Sequence, residues 1–201
     1  RFSFRVTRMS KTVAILQGHP DPAGGHLCHA LADAYAEGAA AAGHRVLRVE
    51  IAKIDVPILR DRASFETGEL PASLAEAKEA ILAADHIVLV FPLWLGTMPA
   101  LVKAFLEQVI RPGVAFAYEK TGIRKLLTGR SAHIVVTMAM PALAYRLFFL
   151  SHGVAGLRRN IFKFAGVSPA RSTMFGMVLA APEGTRQGWL ARMRRYGVRL
   201  R

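Results

Sequence analysis

A doubly wound α/β fold, with a five-stranded parallel sheet and helices on both faces, is what this sequence predicts. Three observations carry that prediction. Short runs rich in aliphatic and β-branched residues recur at 12–16, 85–90 and 132–137, each of strand length and predominantly apolar, as strands buried on both faces are. Segments with apolar residues at helical spacing fall between these runs. Strand-like and helix-like segments alternate along the chain, the order that builds a parallel sheet through crossover helices.

The elements follow in order. The run 12–16 is the first strand and leads into a loop dense in glycine and proline, Gln17 to His26. Leu27, Leu31, Ala34, Tyr35 and Gly38 then share one helical face, and Gly43 offers a C-terminal cap. A strand, a glycine-bearing turn and a helix start together make an anion site, because the helix dipole and free N–H groups converge there. The loop is neither a G-x-G-x-x-G fingerprint nor a Walker A loop. Residues 45–52 alternate charged and aliphatic side chains, giving a second strand. Residues 53–72 mix proline, glycine and charge and read as a long surface loop, of the kind that usually has a task. The helix at 74–84 carries Glu76 and Glu79 near its start, where negative charge suits the dipole.

The central strand at 85–90 runs into residues 91–106, FPLWLGTMPALVKAFL. Pro92 has no N–H and is expected to end the ladder. Gly96 and Thr97 continue the turn, Pro99 suits a first helical turn, and Leu101, Val102, Phe105, Leu106 and Val109 recur at helical spacing. This apolar, Trp-bearing loop lies at a strand's carboxyl end, where open α/β sheets bind ligands. The N–H groups of Leu93, Trp94 and Leu95 are expected to lack ladder partners and to suit a flat, heteroatom-rich ring. Residues 110–130 form a second long connection. The remaining elements are strands at 132–137 and 173–180 and helices at 154–165 and 186–199, with Gly166 as a terminator.

Composition narrows the function. The 201 residues are 52% hydrophobic with a mean hydropathy of +0.27, yet both apolar regions are broken. Pro92, Gly96, Pro99 and Lys103 interrupt one; Pro141, Arg146 and His152 interrupt the other. Neither is the run of roughly 20 apolar residues that a spanning helix needs. No secretory signal is legible, and residues 1–8 read as an extension ahead of Met9, leaving one domain over 9–201. Nine of the 27 basic residues lie in 1–8 and 186–201, so the net charge of +13 is concentrated at the two ends of the chain. A solvated arginine-rich last helix or attraction to an acidic membrane surface would each account for it. No basic-aromatic array supports nucleic-acid binding. Cys28 is the only cysteine, which excludes a disulfide framework and fits a reducing cytoplasm.

The segment Phe91-Pro92-Leu93-Trp94, then Met98-Pro99-Ala100-Leu101-Val102-Lys103 and Gly113-Val114-Ala115-Phe116-Ala117-Tyr118, closely resembles the NAD(P)H:quinone oxidoreductase (DT-diaphorase-like) family. The resemblance implies a flavodoxin-like strand order, a homodimer, and a flavin, FMN or FAD. FAD is slightly favoured if the long loops 53–72 and 110–130 wall its adenosine half. It implies that His19 and the backbone of Gly24, Gly25, His26 and Leu27 receive the flavin phosphate, although Gly24-Gly25 stands where family members usually have a serine or threonine. It implies that Pro92, Leu93, Trp94, Leu95 and Tyr118 contact the ring, with Thr137, Met138 and Ala139 at its pyrimidine edge. Family members commonly follow that threonine with paired glycines, so Met138-Ala139 predicts closer packing there. It further implies that His152 and Tyr145 flank a nicotinamide or quinone pocket and offset charge on the reduced ring.

The expected activity is therefore two-electron reduction of quinones or similar planar acceptors by NAD(P)H, in ping-pong order. Bland alternatives stand beside each assignment. His19 could serve as a turn residue, Tyr118 could pin its loop, and Tyr145 and His152 could pack or cap a helix. Arg158, Arg159 and Lys163 form either a solvated face or a seat for a 2′-phosphate. Two rival functions remain: a flavin-binding regulatory or electron-carrying subunit, and a flavin-free metal protein or hydrolase built on His19, Asp21, His26 and His29. No G-x-S-x-G elbow supports a hydrolase.

Overall fold

Alternation along each central strand dictates two buried layers. In the computed structural model, which describes residues 10–201, β1 (Thr12–Gln17) is followed by α1 (Leu27–Ala41) and β2 (Arg45–Glu50). Then come α2 (Arg62–Glu66), α3 (Ala75–Ala83), β3 (His86–Pro92) and α4 (Ala100–Val109). A hairpin, β4 (Phe116–Glu119) and β5 (Gly122–Lys125), precedes β6 (Ser131–Thr137), α5 (Ala142–Phe148) and α6 (His152–Gly156). The α6 helix continues through a π-helical stretch (Leu157–Phe162) into α7 (Lys163–Ala165), before β7 (Ala170–Phe175) and α8 (Glu183–Arg199). The reading of residues 1–8 as an extension lies outside the described residues.

The five-stranded sheet has the order β2-β1-β3-β6-β7 with every pair parallel, so the doubly wound, flavodoxin-like order expected from the sequence is present. Val13, Ile15, Val88, Val90 and Val135 point to one face and pack with Leu31, Tyr35 and Met193 of α1 and α8. Ala14, Leu16, Ile87, Leu89, Phe91, Ile134 and Val136 point to the other and pack with Ile81, Val102, Phe105 and Phe162. The three central strands β1, β3 and β6 thus bury both their faces, which is why each reads as a largely apolar run, whereas the edge strands β2 and β7 are partly exposed.

Two glycines set how α8 closes the first layer. A Cβ on Gly38 would lie 2.0 Å from the Arg194 carbonyl oxygen, and one on Gly197 would lie 2.1 Å from that of Tyr35. The helices touch backbone to backbone. Beneath this crossing, His86 and His133 are buried. Tyr35 bridges His86 Nε2 (2.9 Å) and the Arg201 carbonyl (3.1 Å), and Thr173 meets His133 Nε2 at 2.9 Å. Burial pushes His86 down to about 3 and His133 to about 4, so both are neutral.

Four sequence expectations change. The loop 53–72 contains α2, started by the Asp61 side chain accepting from Ser64 N–H at 2.8 Å. Residues 110–130 contain the β4–β5 hairpin. Pro92 does not end the ladder: it pairs with Thr137, and Leu93 N–H donates to the Thr137 carbonyl at 2.7 Å. The last strand is 170–175 rather than 173–180, because Met177 and Val178 donate to the Met140 and Met138 carbonyls. That segment is apolar for a packed loop, not a sheet.

Candidate functional site

The first wall of the site forms where β1 ends. Gly18 N–H donates to the Val90 carbonyl at 2.7 Å, holding the end of β1 against β3. A Cβ there would meet Val102 Cγ2 at 2.8 Å, so the close approach needs glycine. His19 follows. Its N–H donates to the Gln17 side chain (2.9 Å), and its Nδ1 accepts from Asp21 N–H (3.2 Å). That leaves Nε2 carrying the ring proton. Burial, with His26 and His29 nearby, lowers its pKa to about 4. His19 therefore offers a neutral N–H, not the positive charge the sequence reading allowed.

Gly24 and Gly25 have φ of +80° and +76°, the left-handed conformation that glycine adopts without strain. They turn the chain into α1, whose first turn has no acidic residue and no side-chain cap. The N–H groups of Gly24, Gly25, His26, Leu27 and Cys28 have no partner among the described residues. These are orphan donors at the positive end of a 15-residue helix. Gln17 Nε2 and His29 Nδ1, both buried, also lack partners beside them. An anion with several oxygens fits this donor set. The one acid in the turn, Asp21, is held by His26 Nε2 at 2.7 Å and by Ala23 N–H. His19 and His26 stack with ring centroids 3.8 Å apart, but among the described residues no three His, Cys, Asp or Glu groups are arranged to hold a metal ion.

The second wall is the turn after β3. Trp94 and Thr97 exchange hydrogen bonds of 2.9 and 3.0 Å around Leu95 (φ +47°) and Gly96 (φ +79°). Positive φ at both central positions is the tight-turn geometry of a hairpin. The N–H groups of Leu93 and Trp94 are therefore consumed internally, contrary to expectation, and Leu95 alone of the three keeps a free donor. Leu95 is fully exposed and Trp94 half exposed.

The third wall is the end of β6. Thr137 faces inward, its hydroxyl 3.2 Å from Cys28 Sγ, which ties the start of α1 to this strand end. Burial raises the Cys28 thiol to about 12, so it is unreactive. Met138 N–H donates to the Phe175 carbonyl at 2.9 Å, so of the expected pair only Ala139 presents a free N–H.

Behind the Trp94–Thr97 turn stand two residues read from sequence as catalytic. Tyr145 is 1% exposed and its hydroxyl donates to the Gly96 carbonyl at 2.8 Å. The ring braces the turn and does not reach the crevice mouth. His152 opens α6 and is exposed. Its neighbour Gly153 lies against the same turn: a Cβ there would sit 2.3 Å from the Gly96 oxygen. Gly176, just after β7, makes a similar approach, a Cβ there falling 2.3 Å from Ala142 N. Gly18, Gly153 and Gly176 are legible in the sequence only as glycines, because these approaches come from pairing distant segments.

Tyr118 stands apart. It lines a cavity of about 680 Å³ on the outer face of α4, with Phe65, Leu106, Phe116, Ile161 and Phe164. No residue of the His19 turn, the Trp94 turn or the β6 end lines that cavity. The long loops are anchored there as well, by Arg111 donating to the Gly68 carbonyl (2.8 Å) and by Gln108 donating to Pro57 (2.7 Å). They do not wall the His19 turn, which removes the structural argument for FAD.

The carboxyl ends of three consecutive parallel strands, β1, β3 and β6, thus lie side by side, with anion-type N–H donors after β1 and an apolar turn after β3. In open parallel sheets of this kind the carboxyl edge of the strands is where ligands bind, and a helix start with free N–H groups suits an anion. The chain belongs to the flavodoxin-like fold family, which it matches over residues 11–197. An FMN-dependent NADH:quinone oxidoreductase 2 from Pseudomonas fluorescens is 42% identical over 74 residues, 37% of each chain. The matched stretches span about a third of the length of the first curated relatives. Among solved structures, an NAD(P)H:quinone oxidoreductase from Methanothermobacter marburgensis has a TM-score of 0.77 at 22% identity, over 96% of this chain and 98% of that one. An FMN-dependent NADH-azoreductase from Bacillus anthracis, in complex with FMN, has a TM-score of 0.72 at 18% identity, over 96% and 99%. Those two structures share the fold.

Proposed function

We propose that this chain binds FMN and transfers two electrons, as hydride, from NAD(P)H to a quinone or related planar acceptor. The observation that carries the reading is the juxtaposition, on adjacent strands β1 and β3, of the orphan N–H cluster at Gly24–Cys28 and the Trp94–Thr97 turn. The names of the relatives support FMN over FAD.

When bound, a flavin would supply the redox chemistry as a two-electron carrier. The chain's own residues do the rest. Gly24, Gly25, His26 and Leu27 donate backbone N–H groups to the phosphate, and His19 Nε2 adds a neutral donor. Leu95 and Ala139 offer N–H groups toward polar edges of the ring system, while Pro92, Leu93 and Trp94 supply its apolar support. Trp94 also shields the crevice from water. His152, exposed at the start of α6, is the residue this reading assigns to offset charge on the reduced ring. Tyr145 acts through the turn it braces.

A homodimer is part of the same reading, with the cavity around Tyr118 as the seat for a second copy. So is a cytoplasmic home, which the lone buried Cys28 suits; no described helix is long and apolar enough to cross a membrane. Purified protein should carry a yellow absorbance that NADPH bleaches and a quinone restores. A colourless chain that neither retains nor takes up FMN would end the proposal.

A further inference from the structure

The turn that receives an anion at the start of α1 is short of positive charge. Between Lys11 and Arg45 the chain has three acids, Asp21, Asp33 and Glu37, and no Lys or Arg. The turns after β3 and β6, residues 93–99 and 138–141, have no Lys or Arg either. A phosphate monoester carries about two negative charges at neutral pH, its second proton leaving near pH 6. A helix start is worth only about half a positive charge. Two cations stand on and just beyond β2, and both are engaged, Arg48 by Asp33 and Lys53 by Glu50 at 2.6 Å.

Histidines stand where the cations are missing. The ring centroids of His19 lie 3.8 Å from His26 and 5.5 Å from His29, and those of His26 and His29 lie 5.7 Å apart. Like charges that close repel, so the three rings cannot all charge together. Burial, with the two other imidazoles nearby, lowers His19 to about 4. Burial and His26 also lower His29, against the pull of Glu50, Asp33 and Asp21. His26 is placed differently. It precedes α1 with no side-chain capping bond, its side chain is 42% exposed, and its Nε2 donates to Asp21 at 2.7 Å. Asp21 is held below the usual carboxylate range by that bond and by Ala23 N–H, so it is the ionised partner an imidazolium needs. The other polar group of the turn, buried Gln17, accepts from His19 N–H and leaves its Nε2 without a partner, a donor that brings no charge.

We propose that His26, positioned by Asp21, is the counter-charge of the bound anion, so that a dianion seated on the Gly24–Cys28 donors takes up one proton from solvent. The proton settles on Nδ1, because Nε2–H is already given to Asp21. That the anion is a flavin phosphate rests on the function proposed above; the uptake itself does not, since any dianion on these donors meets the same lack of cations. Gly24-Gly25 omits the family's usual hydroxyl, and the next residue supplies a titratable charge in its place. The imidazolium exists below the pKa it has beside the anion and is lost above it, so affinity for the anion falls as pH rises. An opposite charge in contact favours the imidazolium by about tenfold or more, which sets the size of the effect.

Fluorescence titrations of flavin-depleted protein with FMN and with riboflavin, which lacks the phosphate, test the proposal at pH 7 and pH 9. The ratio of FMN to riboflavin affinity should fall by about five- to tenfold over that range. His26→Gln keeps a donor for Asp21 but cannot charge; its ratio should start lower at pH 7 and stay level to pH 9. His26→Arg is charged at both values and should hold at pH 9 the ratio the unaltered chain has at pH 7. A level ratio in the unaltered chain would overturn the proposal, as would a His26→Gln ratio that still falls. Sulfate, a dianion with no proton to titrate here, separates this outcome from the flavin reading. At pH 8, saturating sulfate should move the His26 ring resonances toward their protonated positions. A chain that binds neither flavin yet shows that movement loses the flavin reading and keeps the proton-linked site; a ring that sulfate leaves unchanged would refute the site itself.

Discussion

Gly153→Ala isolates the contact on which the ring side of the site depends. Gly153 sits in α6, and the added methyl would lie 2.3 Å from the Gly96 carbonyl oxygen and 2.8 Å from Thr97 Cα. Ordinary contact begins near 3.4 Å, so the turn and the helix must separate by about 1 Å. Both atoms belong to backbone, and Tyr145 pins the same carbonyl from behind, so the displacement cannot be absorbed by a rotamer. Two energies oppose each other. Removing a helical glycine gains roughly 1 kcal/mol, whereas overpacking costs about 1–3 kcal/mol. Net stability should fall by at most about 2 kcal/mol, leaving a folded protein to assay. A 1 Å shift of a positioning element, however, can cost a hundredfold in rate, so we expect kcat/KM for quinone reduction to drop by about tenfold to a hundredfold. FMN affinity, followed by fluorescence quenching, should weaken with it. Gly156→Ala is the control, because nothing lies within 4 Å of its Cβ; it should gain the propensity term and leave both functional readouts alone. If Gly153→Ala behaves like Gly156→Ala in urea melts and in turnover, the turn is not seated on α6 and the reasoning fails.

Three more perturbations probe other parts of the fold. Tyr145→Phe removes the donor to the Gly96 carbonyl and should cost about 1 kcal/mol in a urea melt; it should weaken FMN binding several-fold while leaving the NAD(P)H KM near its starting value, and an unchanged FMN affinity would show that the hydroxyl does not brace the turn. Gly38→Ala puts a methyl 2.0 Å from the Arg194 carbonyl and should destabilise by about 3 kcal/mol, whereas Gly188→Ala, on an open helix face, should be mildly stabilising; equal melts would refute the backbone-to-backbone crossing. Acid should act through His86 and His133, whose folded values near 3 and 4 lie below the unfolded value of about 6.5. Their neutral forms are the ones the fold accepts, so their contribution is complete above pH 6.5 and is lost as pH falls from there toward 4 and 3. At pH 5 each should already have cost about 2 kcal/mol, and urea midpoints that stay level from pH 7.5 to 5 would contradict the assignment.

Much of the architecture is visible in residues alone, and the reason is local. β1, β3 and β6 are buried on both faces, so each prints a largely apolar run, and Gly43 and Gly166, at φ of +80° and +103°, mark helix ends as their positions suggest. What sequence misreads depends on pairing with distant segments. Met177-Val178-Leu179 looks like strand, but its donors go to carbonyls near residue 139, a partner that hydropathy cannot name. The hairpin at 116–125 is short and its second strand exposed, so neither burial nor alternation announces it. In the site, the Gly24-Gly25 turn and the start of α1 are legible because turn chemistry and helix starts are local. The fate of individual N–H groups is not. Leu93, Trp94 and Met138 spend theirs on Thr137, Thr97 and Phe175, which only register decides.

The same register explains how this chain manages without glycines at Met138-Ala139. Where the resembling family lets backbone approach through paired glycines, this chain buries the Met138 side chain and locks its N–H onto Phe175. The close approaches are made one layer further out. Gly176 lets β7 leave the sheet against Ala142 and Met140, and Gly153 lets α6 reach the Gly96 carbonyl. Both contacts are backbone on backbone, and both converge on segments that border the crevice. A methyl at either position therefore moves a wall rather than fills a gap. The site's tolerance should accordingly be inverted with respect to its family: Ala139→Gly should be nearly silent in FMN affinity, whereas Gly176→Ala, one strand removed, should not. Equal FMN affinities for those two variants, measured by the same quenching titration, would show that the ring-edge wall is set at residues 138–139 after all.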